Sequence, residues 1–140
     1  MITDASNAGI GAILAQKDSE GKTKIISYYS KSLDSSEKNY SITDKELLAL
    51  VKSVLHYRAY LLGRKFKIHT DHQALKYMKQ AKSLNSRLMR WSLLLQDFDF
   101  EIEYIKGKDN AADALSRCFM IQSNPHFQKM RNVNYSKNIT

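Results

Sequence analysis

"TDASNAGIGAILAQK", residues 3–17, decides how the rest of the chain is read. An acid, Asp4, stands at the end of a short apolar run and just before a glycine-bearing reversal. The segment 9–17, GIGAILAQK, alternates small and apolar residues as a strand does. DSEGK at 18–22 is a turn around Gly21. TKIISYYSKSL at 23–33, rich in Ile and Tyr, is the returning strand. The chain opens with three strands and an acid at the close of the first.

Outward from there, TDKELLALVKSVLHYRAYLLG (43–63) has helical spacing. Leu47, Leu50, Val51, Val54, Leu55, Leu61 and Leu62 form its apolar stripe, and Arg58 runs its stem along the edge. Thr43 is the expected N-cap and Gly63 the expected stop. KFKIHTD (65–71) puts Phe66, Ile68 and Thr70 on one side of a strand and Lys67, His69 and Asp71 on the other. HQALKYMKQA (72–81) is a short helix candidate. SLNSRLMRWSLLLQDFD (83–99) is a longer one, with Leu84, Leu88, Trp91 and Leu95 as its stripe and Arg87 and Arg90 off it. FDFEIEYI (98–105) alternates Phe98, Phe100, Ile102 and Tyr104 against acids, which predicts a half-buried antiparallel strand. AADALSR (111–117) begins a last helix with Asn110 as its cap. The order gives an α/β protein, a mixed sheet flanked by helices. Beyond Arg117 no period is sustained and the only proline, Pro125, appears. Residues 1–117 are therefore expected to form the domain, and 118–140 a polar tail without order.

The 140 residues suffice for one domain with its own core. No apolar run is long enough to span a membrane, and no signal peptide opens the chain. One cysteine, Cys118, excludes an internal disulfide framework and zinc sites built on several cysteines. An intracellular setting is the default that follows. The net charge of +8 calls for a polyanionic partner. The excess is concentrated at Arg58, Arg64, Lys65, Lys67, Lys76, Lys79, Lys82, Arg87 and Arg90, with Asp71 as the only acid in that stretch. Such a run is either a solvated basic face or a surface that tracks phosphates.

Four acids stand at element ends: Asp4, Glu46, Asp71 and Asp113. Each has a local reading. Asp4 fits a turn, Asp113 fits the positive end of a helix, and Thr43 to Glu46 fits a capping box, the reading that pattern alone favours for Glu46. Asp71 beside His69 and His72 suggests a transition-metal site, but a continuing strand would put the two histidines on opposite sides. Convergence of the four would mean something else. Close carboxylates repel, and a divalent cation offsets that repulsion. Oxygen ligands favour magnesium or manganese, and two such ions roughly 4 Å apart clamp a phosphodiester for in-line attack.

Together, TDASNAGIGAILAQ, YYSKSLDSSEKNYSITDKELLALV, HYRAYLLGRKFKIHTDHQAL, NSRLMRWSLLLQDFDFEIEYIKGKDN and ADALSR closely resemble the ribonuclease H domain of gypsy-type LTR-retrotransposon reverse transcriptases, over residues 1 to about 117. The resemblance implies a ribonuclease H-like mixed five-stranded sheet flanked by helices, with its first three strands antiparallel. It implies endonucleolytic hydrolysis of the RNA strand of RNA:DNA hybrids with two Mg2+ ions (or Mn2+), leaving 3′-hydroxyl and 5′-phosphate ends. Asp4, Glu46, Asp71 and Asp113 would be the catalytic and metal-binding acids, which displaces the capping-box preference for Glu46. Lys76, Lys79, Arg87 and Arg90 are candidates for gripping the hybrid. Trp91 and Tyr40 are taken as structural.

The chain departs from the family pattern in three places. Only three residues precede Asp4, so the first strand is expected to be truncated and the polymerase portion of a parent polyprotein to be missing. GKDNAADALSR is one residue shorter than usual before Asp113, and residues 106–112 hold no histidine. Two other readings stay open: a hybrid-binding or tether-like module without catalysis, and a degenerate fragment that does not fold stably.

Overall fold

The computed structural model describes residues 1–73, 75 and 85–107. Three strands open the chain: β1 (Ile2–Ala5), β2 (Gly9–Lys17) and β3 (Thr23–Ser32). Ser6 makes the first reversal tight. Its Oγ accepts from the N–H groups of Ala8 and Gly9, and its own N–H donates to the Gly9 carbonyl at 2.8 Å. Ser6 thus does the turn work, and Asp4 belongs to the strand. Gly21 takes φ +78 in the second reversal, a value that glycine adopts without a Cβ clash.

The main helix, α1, runs Ile42–His56 and starts before the expected boundary. Its cap is Ser41, whose Oγ accepts from the Asp44 N–H at 3.1 Å. Thr43 lies inside the first turn and its hydroxyl bonds His72 Nε2 at 2.9 Å. The chain breaks at Tyr57 and makes one further turn, α2 (Arg58–Leu61), before Gly63 at φ +76. That break resets the helical phase. Leu61 is buried, whereas Leu62, expected on the same stripe, is exposed. The Arg58 guanidinium lies over Phe98, 5.8 Å from the ring centre.

Next come β4 (Lys65–Thr70), α3 (Ser86–Leu95) and β5 (Asp99–Tyr104). Asn85 caps α3 by accepting from the Leu88 N–H at 2.9 Å. The strands form one sheet in the order β3-β2-β1-β4-β5. β1 is antiparallel to β2 and parallel to β4. β5 runs parallel to β4, paired from Lys65–Asp99 to Thr70–Tyr104, and not antiparallel as its alternation predicted. Alternation marks a strand with one covered face but carries no sign of direction. Direction is set by the crossover containing α3, which returns the chain to the end where β4 began.

α1 lies against β1, β2 and α3, so it is buried continuously from Lys45 to Val51. The main core joins Leu47, Leu50, Val51 and Val54 of α1 to Met1, Ala12, Leu14, Ile68 and Phe100 of the sheet and to Leu95 of α3. Trp91 packs half-buried against the core, as expected of a structural residue. Arg87 fixes α3 to the start of α1. Its guanidinium donates to Asp44 at 2.9 Å and stacks 3.7 Å over the Tyr40 ring. Among the described residues no helix is long and apolar enough to cross a membrane. The helix expected over 72–81 lies largely outside the described residues, as do the helix over 111–117 and the tail 118–140.

Two changes test these contacts by urea unfolding. Ser41→Ala is expected to destabilise the fold by about 1 kcal/mol through loss of the cap; an unchanged midpoint would put the start of α1 elsewhere. Arg87→Ala is expected to cost about 1–2 kcal/mol. Arg87→Lys should recover less than half of that, because an ammonium supplies neither the flat stack nor the fork. Full recovery by lysine would show that charge alone mattered.

Candidate active site

β1 and β4 are parallel neighbours, so their C-terminal ends lie side by side, and this is where the acids converge. Asp4 is the third residue of β1, and Asp71 follows the last residue of β4. Glu46 comes from the second turn of α1, brought over β1 by the packing of that helix on the sheet. One carboxylate oxygen from each of Asp4, Glu46 and Asp71 lies within 4.8 Å of the others. Asp4 and Glu46 are buried and Asp71 is half-buried. Asp113, the fourth expected acid, lies outside the described residues.

Local bonds set each acid. The Ala5 N–H donates to Glu46 Oε1 at 3.3 Å, which fastens the helix acid to the strand that bears Asp4. The capping box does not form. With Ser41 as cap, Glu46 is two positions too deep to reach back to the helix start, and Asp44 occupies the third helical position instead. Past Asp71, the His72 N–H donates to Thr70 Oγ1 at 3.2 Å, and the Ile105 N–H donates to the Thr70 carbonyl at 2.8 Å. These bonds bring the segment after β5 across the end of β4. There Gly107 lies so close that a Cβ on it would stand 3.0 Å from Asp71 Oδ2. The histidines take no part in the cluster. His72 bonds Thr43, and His69 faces Glu103 at 3.3 Å, with burial first among the causes that lower its pKa.

The donor set is all oxygen, crowded and mostly out of water. Three carboxylates at this spacing repel each other strongly when ionised, and a hard divalent cation is the counter-charge such a set fits. Among the described residues this is the only group of three or more histidine, cysteine, aspartate or glutamate side chains with metal-holding geometry.

The basic stretch divides. Lys65 and Lys67 sit on β4 and pair with Glu101 and Glu103 of β5 at 2.8 and 2.6 Å. Arg64 precedes the start of β4, roughly 20 Å from its acidic end by strand rise. Arg87 is held by Asp44 and Tyr40, and Arg90 is exposed on α3. Lys76 and Lys79 lie outside the described residues. Two features beside the acids had no signal in the sequence. Lys45 is buried, and its ammonium donates to Asn7 Oδ1 at 3.2 Å across a small cleft of about 220 Å3 that Glu46 also lines. Gly107 is the other, since nothing in "IKGKDN" indicates a close approach to Asp71.

Known proteins resemble this chain in sequence and in fold. The family described as the RNase H-like domain found in reverse transcriptase matches residues 1–98. The chain is 45% identical over 127 residues to the retrovirus-related Pol polyprotein from transposon 297 of Drosophila melanogaster, covering 90% of this chain and 11% of that protein. It is 47% identical over 120 residues to the transposon Tf2-3 polyprotein of Schizosaccharomyces pombe, covering 82% of this chain and 9% of that protein. The chain thus spans about a tenth of the length of these relatives. Among solved structures, LC11-RNase H1 in complex with RNA/DNA hybrid superposes with a TM-score of 0.61 at 17% identity, over 81% of this chain and 90% of that one, a likeness of fold. With its mixed five-stranded sheet and retrotransposon relatives, the chain belongs to the RNase H-like domain family of reverse transcriptases.

Proposed function

We propose that this domain hydrolyses the RNA strand of RNA:DNA hybrids, as the ribonuclease H part of a retrotransposon reverse transcriptase. The observation that carries the reading is the convergence of Asp4, Glu46 and Asp71 within 4.8 Å at the ends of two parallel strands. Family membership supplies the substrate class, and the all-oxygen donor set supports Mg2+, with Mn2+ as substitute. Asp113 is assigned as a fourth ligand from its motif, ADALSR.

When bound, the divalent ions supply Lewis-acid chemistry to the attacking water and the departing oxygen. The chain's residues do the rest. Asp4 and Glu46 present their carboxylates from buried positions that the packing of α1 on the sheet fixes. Asp71, half-buried, is the most accessible of the three and is assigned to the side open to a phosphodiester. Water oxygen forms the new bond to phosphorus and gives up one proton, the P–O3′ bond breaks, and O3′ takes up one proton, so that one water is consumed overall. Arg90, with Lys76 and Lys79, is assigned to hybrid phosphates. Arg87 is assigned mainly to bracing, with the exposed part of its guanidinium left for the backbone.

Three experiments test this. Asp71→Asn should cut cleavage of a labelled hybrid in magnesium by roughly 100-fold or more. Equal cleavage by both proteins would end the mechanism, and no cleavage by a folded wild type would favour a binding module. Millimolar Mn2+ should raise the melting temperature of the wild type but not of Asp4→Asn, whose metal-free melting temperature should not fall because one repelling charge is gone. An equal Mn2+ response in both would remove Asp4 from the ligand set. Gly107→Ala should weaken Mn2+ binding by about 10-fold in titration calorimetry without lowering the melting temperature, since its Cβ displaces the Asp71 carboxylate. Unchanged affinity would show that Asp71 moves aside freely.

A further inference from the structure

Lys45 is the only buried lysine or arginine among the described residues, with 7% of its surface exposed. A buried ammonium ordinarily has an anion beside it, because the cost of taking a charge out of water must be offset. Other lysines of this chain follow that rule: Lys52 pairs with Glu37, Lys65 with Glu101 and Lys67 with Glu103. Lys45 pairs with no carboxylate among the described residues. Its ammonium donates instead to a neutral acceptor, Asn7 Oδ1, at 3.2 Å. An ammonium carries three donors, so a single neutral oxygen leaves both charge and hydrogen bonds for a ligand.

The fold fixes both partners. Lys45 comes from the start of α1, and Asn7 sits in the β1–β2 reversal that the Ser6 hydroxyl holds tight. With Oδ1 accepting from Lys45, the Asn7 amide keeps its two N–H donors for a ligand. Both residues line the cleft of about 220 Å3, with Ile42, 70% exposed, on its rim. Glu46 belongs both to this cleft and to the acid cluster. A group in the cleft therefore lies one side chain away from the proposed place of hydrolysis. The acids repel an anion there unless a fixed cation offsets them, and Lys45 supplies that charge.

We propose that Lys45 and Asn7 form a subsite for one phosphate of the cleaved strand, the neighbour of the phosphodiester that is hydrolysed. This subsite rests on the nuclease reading and adds to it a contact that sets affinity and register. A nucleic-acid backbone repeats its anion at every nucleotide, so a strand with one phosphate at the acids carries the next one beside them. The complementary strand is set apart from that point by the groove. The ammonium and the amide donate to the phosphate oxygens, and the adjoining sugar lies against Ile42.

The test compares steady-state cleavage of a labelled hybrid in magnesium by the full chain, Lys45→Met and Asn7→Asp. Lys45→Met should raise KM about tenfold, the loss of a charge-assisted hydrogen bond, with kcat within about twofold. It should also lower the slope of log KM against log salt by about 1. Asn7→Asp gives Lys45 an internal anion and should raise KM by a similar factor. Neither change should lower the melting temperature. A methylphosphonate at one of the two phosphates flanking the cleaved one should raise the wild-type KM about tenfold and leave that of Lys45→Met unchanged. Equal KM for wild type and Lys45→Met, or equal methylphosphonate effects in both, would overturn the subsite and leave the nuclease reading standing. So would tighter Mn2+ binding by Lys45→Met at unchanged KM, which would make the lysine a counter-charge for the acids. No cleavage by the folded wild type would instead overturn the nuclease reading, and the subsite with it.

Discussion

Mutual repulsion among three carboxylates within 4.8 Å is the constraint on which the rest of this structure depends. Such a cluster persists only where other interactions fix its members. Here one acid is carried on a central strand, one follows the neighbouring parallel strand, and one projects from the helix packed over them. The helix is secured by a buried face running from Lys45 to Val51, and its acid is tied to β1 by the Ala5 N–H. Apolar burial thus supports an arrangement that electrostatics alone opposes, and a cation reverses the sign of that opposition.

The central strand is anchored along both of its edges. β1 has four residues, against nine in β2 and ten in β3. It is held by partners on both edges, by a buried Thr3, and by the bonds of Met1 to Lys67 and His69. Burial lowers the pKa of the Met1 amine to about 6.

Charge is organised differently from its distribution along the chain. The basic run from Arg58 to Arg90 looks continuous in sequence, yet its described members are dispersed by the fold. Arg58 covers Phe98, Lys65 and Lys67 neutralise the acids of β5, and Arg87 braces α3 against α1. Arg64 and Arg90 have no ion pair among the described residues, and they sit on separate elements. A positive sum thus says that a polyanion is attracted, and the pairing pattern says which side chains are left to meet it.

The sequence by itself determined the strands and the main helix, and it singled out Asp4, Glu46 and Asp71, the three acids that the fold brings together. Strand period, helical period and turn residues are local, and five motifs in order carried the family. The alternation of β4 and the glycine at the stop after α2 were legible for the same reason. What only the tertiary structure decided was non-local. The direction of β5 depends on where its crossover returns, the true cap of α1 on which hydroxyl His72 claims, and the break at Tyr57 on how α2 turns back toward the core. Glu46 shows the division most clearly. Beside Thr43 in sequence it reads as a capping residue, and pattern favoured that. In the folded chain the helix starts at Ser41, the cap is already satisfied, and Glu46 faces Asp4 and Asp71, because parallel pairing of β1 with β4 brings together acids that lie 67 positions apart.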